Sequence, residues 1–547
     1  MQHGVLFLSI TFLYYFLVEL GGTFYSFQWD ILLLETGWLV SMCYAPWKYL
    51  RVPNTKDGND TTLNSNGIGE WPIRFLLFKL MFMSGVVKIQ ANCPTWNTLS
   101  ALEYHFATQC LPGPLAWYAH QLHPFLLRLS VAMTFLIEIQ GAVLLILWPD
   151  DLRIIGAWMQ ILLQTMIILS GNYNFFNALT ILLCLPCMQS NFSCTSGGTR
   201  KRPFNHNYMH SSLALVYFAW SFSTMFEIQN TQVGVEKQYT IVLSWTKSFC
   251  NVVIECCVPA VIALVYIQLV YTFFSIKKKT ISSLCHFIVC ATCLGMSSVP
   301  FLNLSPGPSS SRWTMMPTQY FVQPWQIIRP FHFSNGYGLF RRMTGVGSRG
   351  LYDDRVGWGG LPPSIVERPE IILTGQLSST GEFHELQFRW KPGDVSKKPR
   401  QVAPYQPRLD WQMWFAALGS YQNNPWLVHL VFKILKGCGP VIDLLDEPLL
   451  ASGEEKLLNL RSERYMYDFT RTQENGSMSK NWWIRMQNNQ DFMPSLEVTN
   501  PSLIQFLSSQ GFREDMCTSV EDKCKMLVTK GSTFQYICPI IKAFRLS

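Results

Sequence analysis

Long apolar runs dominate roughly the first three hundred residues of the chain, and polar sequence broken by Pro and Gly follows them. A stretch of about 20 apolar residues can cross a bilayer as a helix. Several of the runs are short or charged, so between five and nine spans are expected among the stretches 1–20, 31–47, 71–90, 125–148, 154–170, 175–188, 211–228, 252–276 and 281–301. The pattern predicts a multi-pass α-helical membrane domain over residues 1–301.

Shorter periodic segments predict a soluble α+β domain with a β-rich part over residues 302–513. Residues 369–375 form a β-prone run that ends at Gly375, and residues 383–390 alternate in polarity. Both are predicted strands, paired as a hairpin around Gly381. Residues 410–418 and 427–435 have helical apolar spacing. Residues 514–547 form an atypical tail.

Composition and charge support a membrane location and suggest an orientation. Charged residues make up 14% of the chain, hydrophobic residues 49%, and the net charge is +8. The basic triplets 200–202 and 277–279 lie beside apolar runs and are expected to be cytoplasmic. One further span follows the second triplet, so the region after residue 301 is predicted to be luminal, as is the loop 91–124. No basic patch interleaves with aromatic residues, so nucleic-acid binding is not expected.

The predicted orientation also sorts the sequons. Asn303-Leu304-Ser305 and Asn475-Gly476-Ser477 fall on the luminal side and are predicted glycosylation sites. Asn59 and Asn191 fall on the cytoplasmic side and should remain unmodified.

Several blocks of sequence carry a family resemblance. In the membrane domain these are residues 27–30 (FQWD), 32–37, 74–88, 93–96, 108–112 and 171–177. In the soluble region they are residues 337–345 and 407–419. With these blocks the chain closely resembles the lipase maturation factor family from about residue 28 to residue 513. The positions of Cys93 and Cys110 make it look closer to the second of the family's two paralogues than to the better-known one.

The resemblance implies a multi-pass membrane protein of the endoplasmic reticulum in the secretory pathway. Its implied function is to help secreted proteins, lipases in the founding case, reach their folded and assembled form. The expected partners are secretory client proteins and membrane lipid. Three features depart from the family pattern: the N-terminal part looks short by one span, residues 347–367 look like an insertion, and the tail differs.

Candidate chemistry is sparse. There is no Gly-x-Ser-x-Gly elbow and nothing indicates a Ser-His-Asp triad, so no catalytic residue and no cofactor are assigned. His120 and His123 have a spacing that could supply two metal ligands, but loop histidines more often pack or lie at the surface, and no metal is assigned. Cys290 and Cys293 have redox spacing inside an apolar span, where thiolate formation is unfavourable.

Cys93 and Cys110 share the predicted luminal loop. They are a redox-active or client-binding pair, a structural disulfide, or two free thiols. Their spacing is far from Cys-x-x-Cys, which favours a structural role and a possible disulfide.

Charged residues within the predicted spans are costly and usually face a polar interior or a partner. The candidates for such a role are Arg74, Lys79, Lys88, Arg128 and Glu138. They could form a transport or lipid-headgroup site. The alternative is pairing between helices, for example Glu138 with Lys79, with Arg74, Lys88 and Arg128 extending toward the interface.

The block 407–419 is the most distinctive part of the soluble region. Trp411, Trp414, Phe415 and Leu418 fall at helical spacing and predict one buried stripe. Asp410 is predicted to cap the helix, and Arg408 to anchor the block. The block is either a client-binding patch, since aromatic residues and Arg dominate hot spots, or part of the domain core.

Three functions therefore compete. The first is a non-enzymatic maturation factor for secreted clients. The second is a membrane enzyme or transporter that uses the intramembrane charges. The third is a thiol oxidoreductase that uses Cys93 and Cys110.

Overall fold

The computed structural model describes residues 2–44, 66–188, 204–233, 236–276, 280–304, 317–344, 368–472, 479–512 and 517. Both basic triplets, the sequons at Asn59, Asn191 and Asn475, the segment 347–367 and the tail apart from Cys517 lie outside these residues.

Within the described residues, all nine predicted spans contain a helix. The helices are α1 (Gln2–Gly21), α2 (Gln28–Leu39), α3 (Asn66–Gln90), α4 (Pro94–Asn97), α5 (Ala101–Thr108), α6 (Ala116–His120), α7 (Pro124–Phe135), α8 (Ala142–Leu144), α9 (Asp150–Ser170), α10 (Phe176–Met188), α11 (Phe204–Met225), α12 (Lys247–Phe274) and α13 (Ile281–Ser298). π-Helical turns extend α2 and join α7 to α8, over Val40–Tyr44 and Leu136–Gly141. A 3₁₀ turn, Val299–Leu304, extends α13.

Five helical stretches in the described residues are long and apolar enough to cross a membrane: Gly4–Tyr25, Pro124–Leu144, Asp150–Ser170, Lys247–Phe274 and Ile281–Leu304. The helix α3 is not among them, because it carries Glu70, Arg74, Lys79 and Lys88. It is buried inside the protein along nearly its whole length. Helices α2, α10, α12 and α13 pack around it. A helix that is enclosed by protein on all sides can carry ionisable side chains that lipid would not tolerate.

The two ends of the membrane domain are distinct. At one end, Gln90 of α3 donates to Asn251 near the start of α12, at 2.9 Å, and to the carbonyl of Leu304, at 2.8 Å. At the other end, Trp71 of α3 donates to Thr272 near the end of α12, at 3.0 Å. Among the described residues, the chain from residue 368 onward contacts only the first end, which we call the junction end. That part of the chain therefore lies opposite the end of α12 and the start of α13.

The soluble region contains a four-stranded antiparallel sheet in the order β4-β3-β5-β6. The strands are β3 (Arg368–Leu377), β4 (Phe383–Leu386), β5 (Leu457–Phe469) and β6 (Trp483–Glu497). Its helices are α14 (Val322–Ile328), α15 (Arg408–Ala417), α16 (Pro425–Leu435), α17 (Gly439–Ile442), α18 (Pro448–Ala451) and α19 (Pro501–Ser509). One face of the sheet packs on α15, α16 and α19 through residues such as Leu373, Met413, Val431 and Leu507.

The predicted hairpin is confirmed. β3 and β4 pair antiparallel across a turn in which Gly381 has a φ of +72°, a conformation that favours glycine. β4 is shorter than predicted, because the chain leaves the sheet after Leu386 and Phe388 forms an isolated bridge with Leu445. The two predicted helices are also confirmed, and each begins two residues earlier than expected, at Arg408 and Pro425.

The sequence pattern missed a hairpin in the membrane domain. Strands β1 (Phe226–Val233) and β2 (Glu236–Leu243) pair antiparallel between α11 and α12. Residues 211–228 were predicted as one span, but α11 ends at Met225 and the strand begins at the next residue. A short apolar run does not by itself distinguish the end of a helix from the start of a strand.

Candidate functional site

Two arginines of the soluble region insert into the junction end, and the first is Arg408 at the start of α15. Its guanidinium forms two hydrogen bonds, 2.7 and 2.8 Å long, with the carboxylate of Asp30 in α2. It also donates to the carbonyl of Phe24, at 2.7 Å, and lies 3.6 Å from the centroid of the Tyr25 ring. Asp30 is fully buried and accepts a further bond from Tyr14. Such a bidentate, desolvated pair holds both partners in one geometry.

The second anchor is Arg368, the first residue of β3. Its side chain is fully buried and donates to the carbonyl of Ala107 in the last turn of α5 and to those of Gln109 and Cys110 in the loop that follows. Glu370, two residues along the strand, balances its charge, and Lys391 lies 3.0 Å from the same carboxylate. Arg368 therefore satisfies the carbonyl groups at the C-terminal end of a membrane-domain helix with a side chain from the sheet.

Between the two anchors, the tryptophans of α15 are buried, as predicted. Trp411 is 3% exposed, and its ring centroid lies 4.7 Å from that of Trp29. Trp414 donates to the carbonyl of Thr108, at 3.1 Å. Both belong to the hydrophobic core of the membrane domain, and Met413 on the opposite side of α15 belongs to the core of the sheet. Helix α15 is thus shared between the two cores.

Two details of the predicted stripe are wrong. Phe415 and Leu418 are 42% and 43% exposed, so the buried surface is narrower than the spacing suggested. Asp410 is buried but lies in the first turn of α15 and not at its N-cap, which is Pro407. Its carboxylate accepts from the backbone N–H groups of Trp390 and Lys391, at 2.9 and 2.8 Å. Burial raises the pKa of Asp410 to about 6, although these N–H groups act in the opposite direction.

A segment of the chain after α14 lies among the membrane helices, and we call residues 332–340 the return segment. Its backbone and side chains bind Glu35 of α2: Asn335 N–H donates at 3.0 Å and Tyr337 O–H at 2.6 Å. Gly336 and Gly338 lie against α3, where an added Cβ would come within 3.3 Å of Met83 and 3.2 Å of Val87. Residues 302–344 were expected to be soluble, and these contacts differ from that expectation.

Lys79 of α3 connects the return segment to the helices. Its ammonium lies 2.5 Å from Glu35, 2.9 Å from the hydroxyl of Ser297 and 3.4 Å from that of Ser334. Lys79, Glu35 and Ser334 are fully buried. A buried charge is tolerated only when it is paired and hydrogen-bonded, and this lysine has both kinds of partner.

The other four candidate charges of the predicted spans are also paired, but Glu138 does not have the predicted partner. Lys88, and not Lys79, is the partner of Glu138, at 2.6 Å. Arg74 is fully buried, pairs with Glu70 at 2.5 Å and donates to the carbonyl of Pro186. The expectation that Arg74 and Lys88 extend toward the interface is therefore wrong. Arg128, which is partly exposed, pairs with Glu103 at 2.8 Å.

Both regions match known protein families. Residues 1–195 match the lipase maturation factor transmembrane domain, and residues 358–494 match the lipase maturation factor C-terminal domain. Lipase maturation factor 2 of Gallus gallus is 34% identical over 94% of this chain and 71% of its own length. The chain belongs to the lipase maturation factor family.

The positions of Cys93 and Cys110 suggested greater similarity to lipase maturation factor 2 than to lipase maturation factor 1, and the sequence identities agree. Human lipase maturation factor 2 is 32% identical over 94% of this chain and 72% of its own length. Human lipase maturation factor 1 is 28% identical over 89% of this chain and 70% of its own length. No solved structure is significantly similar to the chain.

Cys93 and Cys110, which lie between α3 and α7, do not form a disulfide bond with each other. Cys93 and Cys110 are both buried free thiols. Burial raises the pKa of Cys110 well above its usual range, which is unfavourable for a reactive thiolate. The predicted disulfide is thus not formed in this structure. A disulfide joins Cys438, after α16, to Cys517 in the tail, with Cα atoms 5.1 Å apart. The scattered cysteines of the sequence gave no signal for that pairing.

The remaining candidates are dispersed. His120 is buried beside Phe469, and burial lowers its pKa to about 3. The side chain of His123 accepts a hydrogen bond from the backbone N–H of Phe125 at the start of α7. Across the described residues, no group of three or more His, Cys, Asp or Glu side chains is arranged to hold a metal ion. Asn303 is exposed in the 3₁₀ turn after α13.

An open cleft of about 850 Å³ lies on the soluble region, and sequence reasoning did not find it. Side chains of both charge signs line it, including Glu385, Asp394, Lys397 and Arg485. Arg485 and Glu385 pair at 2.9 Å across β6 and β4, the two edge strands of the sheet. Arg485 lies 100 residues after Glu385, so only the fold of the sheet brings it beside the other three.

Proposed function

We propose that this chain is an endoplasmic reticulum membrane factor that binds secreted proteins, lipases among them, and assists their folding and assembly without catalysing a reaction. Membership of the lipase maturation factor family supports the role in lipase maturation. The observation that supports the binding role best is the open cleft of mixed charge, because Arg408 and the buried Arg368 anchor the region that carries it to the membrane domain.

A luminal position of the soluble region is part of this proposal. Disulfides persist in oxidising compartments such as the lumen of the endoplasmic reticulum, and Cys438–Cys517 lies in this region. The cysteines buried in the membrane domain remain free thiols. Protease digestion of sealed microsomes should leave the soluble region intact, and glycosidase should shift the mobility of the chain. We propose Asn303 and Asn475 as the modified residues, so Asn475→Gln should remove part of the shift. Digestion of the soluble region in sealed microsomes would contradict this orientation.

The membrane enzyme or transporter has less support. Lys79, Lys88 and Arg74 each have a buried carboxylate partner, which favours a structural role. The thiol oxidoreductase has less support as well, because Cys93 and Cys110 are buried and unjoined.

The client-binding role can be tested with two arginines of the same sheet face. Arg485 lies in the cleft, with its guanidinium 4.5 Å from the Tyr465 ring centroid. Arg461 lies outside the lining of the cleft, with its guanidinium 4.4 Å from the Phe383 ring centroid. In cells that lack the family's own members, Arg485→Ala should reduce rescue of secreted lipase activity, and Arg461→Ala should not. Equal rescue by both variants at equal protein levels would refute the cleft as the client site.

A further inference from the structure

The junction also carries an apolar surface that is exposed, in contrast to its buried anchors. Phe415 and Leu418 project from the C-terminal end of α15. Phe24, in the turn between α1 and α2, and Trp426, at the start of α16, are half-buried, with ring centroids 5.4 Å apart. We call Phe24, Phe415, Leu418 and Trp426 the overhang patch. Such a patch on a membrane protein requires an occupant.

The position of the overhang patch relative to the bilayer follows from α1. The apolar stretch Gly4–Tyr25 is long enough to cross a membrane, so Phe24 lies at its boundary. Leu20, one turn earlier, is 84% exposed on the lipid-facing side of α1. Phe415 reaches the same boundary, because its ring centroid lies 5.8 Å from that of Phe27, the residue before α2. The exposed apolar surface of the span therefore continues onto the soluble region.

The local sequence has the composition of a membrane interface. From Trp411 to Phe432 the chain contains no Asp, Glu, Lys or Arg, although it contains three Trp and one Tyr. Aromatic residues are enriched at the level of lipid headgroups, where an apolar ring and a polar edge are both satisfied. The exposed neighbours Gln422 and Asn423 are neutral and polar. A surface that faces only water would be expected to carry charge.

We propose that the overhang patch rests in the headgroup region of the leaflet on the junction side, so that its ligand is phospholipid of the same membrane. The soluble region is then held by lipid as well as by its two arginine anchors. A protein client is the competing occupant, but the continuity with α1 and the lack of charge favour lipid.

Photocrosslinking of the full chain tests the proposal. The photoreactive residue p-benzoylphenylalanine replaces Leu418 in one variant and Leu458 in the control, which is 53% exposed in β5. Phe469, at the end of β5, packs on the membrane domain, and Leu458 lies eleven residues, or about 36 Å of strand, away from it. Each variant is reconstituted in nanodiscs of phosphatidylcholine that contain a small fraction of alkyne-tagged phosphatidylcholine.

The proposal predicts several-fold more tagged lipid per protein at position 418 than at position 458. Equal labelling at the two positions would overturn it. The same variants are irradiated in microsomes, where crosslinking of position 418 mainly to proteins would also overturn it, in favour of a client surface. Position 415 carries the same expectation and replaces position 418 if that variant does not elute as a single folded species.

Discussion

Replacement of Arg408 by Met is expected to loosen the junction strongly, although the change is far from the cleft. The variant keeps the unbranched apolar part of the side chain and removes three hydrogen bonds, two to Asp30 and one to the carbonyl of Phe24. Asp30 then remains as a buried carboxylate without its cation. Removing one partner of a buried ion pair costs about 3–5 kcal/mol, most of it for the charge that is left behind.

This free energy can be measured by native-state proteolysis of the purified chain in detergent. When opening and closing are fast, the cleavage rate follows the population of the open form, so a cost of about 3 kcal/mol accelerates cleavage roughly a hundredfold. A double-mutant cycle with Asp30→Asn should show that the two losses are not additive, because the neutral amide no longer requires Arg408.

The matched control is Lys397→Met. Lys397 pairs with Asp446 at 3.2 Å, but both side chains are almost half exposed, so the loss should be about 1 kcal/mol or less. If Arg408→Met is cleaved no faster than this control, or if the losses at Arg408 and Asp30 simply add, the pair does not hold the junction and our reasoning is refuted.

Three further changes have defined outcomes. Trp411→Ala should lower the free energy of unfolding by about 3–5 kcal/mol and reduce the amount of folded chain, whereas Phe415→Ala, at an exposed position, should do neither. If the Trp411→Ala variant accumulates normally but no longer supports lipase secretion, Trp411 belongs to a client surface instead. Cys438→Ser removes the disulfide that closes a loop of 79 residues, and under oxidising conditions it should lower the free energy of thermal unfolding by about 4 kcal/mol. Under reducing conditions the variant and the wild type should be equally stable. Asp410 has a pKa raised from 3.8 to about 6, so it stabilises the fold below about pH 4 and loses that contribution as pH rises through 6. Asp410→Asn should therefore gain about 3 kcal/mol relative to wild type between pH 4 and pH 7, and a difference that is independent of pH would contradict this.

The elements of the fold were largely predictable from the sequence because each has a local cause. Apolar runs near membrane length gave the helices, and alternation around Gly381 gave the β3–β4 hairpin. The block 407–419 was predicted to be anchored and buried because Trp411 and Trp414 share one side of a helix. These predictions needed no knowledge of distant contacts.

The pairings were not predictable, because they depend on which helices become neighbours. Glu138 could have reached Lys79 or Lys88, which lie on the same helix, and only the packing of the π-helical turn Leu136–Gly141 against α3 selects Lys88. The same holds for Glu35, which lies some three hundred residues before its partner Tyr337. Asp410 does not have its predicted N-cap role, because the backbone N–H groups of residues 390 and 391 compete for its carboxylate with the N-terminus of its own helix.

The three buried contacts at the junction have a common consequence for the proposed function. Arg408 ties α15 to α2, Arg368 ties β3 to the loop after α5, and Glu35 ties the return segment to α2 and α3. Each joins parts of the chain that are more than two hundred residues apart, so the soluble region has little freedom to rotate relative to the membrane domain. The sheet that carries the cleft beside Arg485 is consequently held in a fixed position relative to the membrane domain. A client emerging at the membrane would meet a rigid surface, and substitutions in the anchors would alter lipase maturation without touching the client.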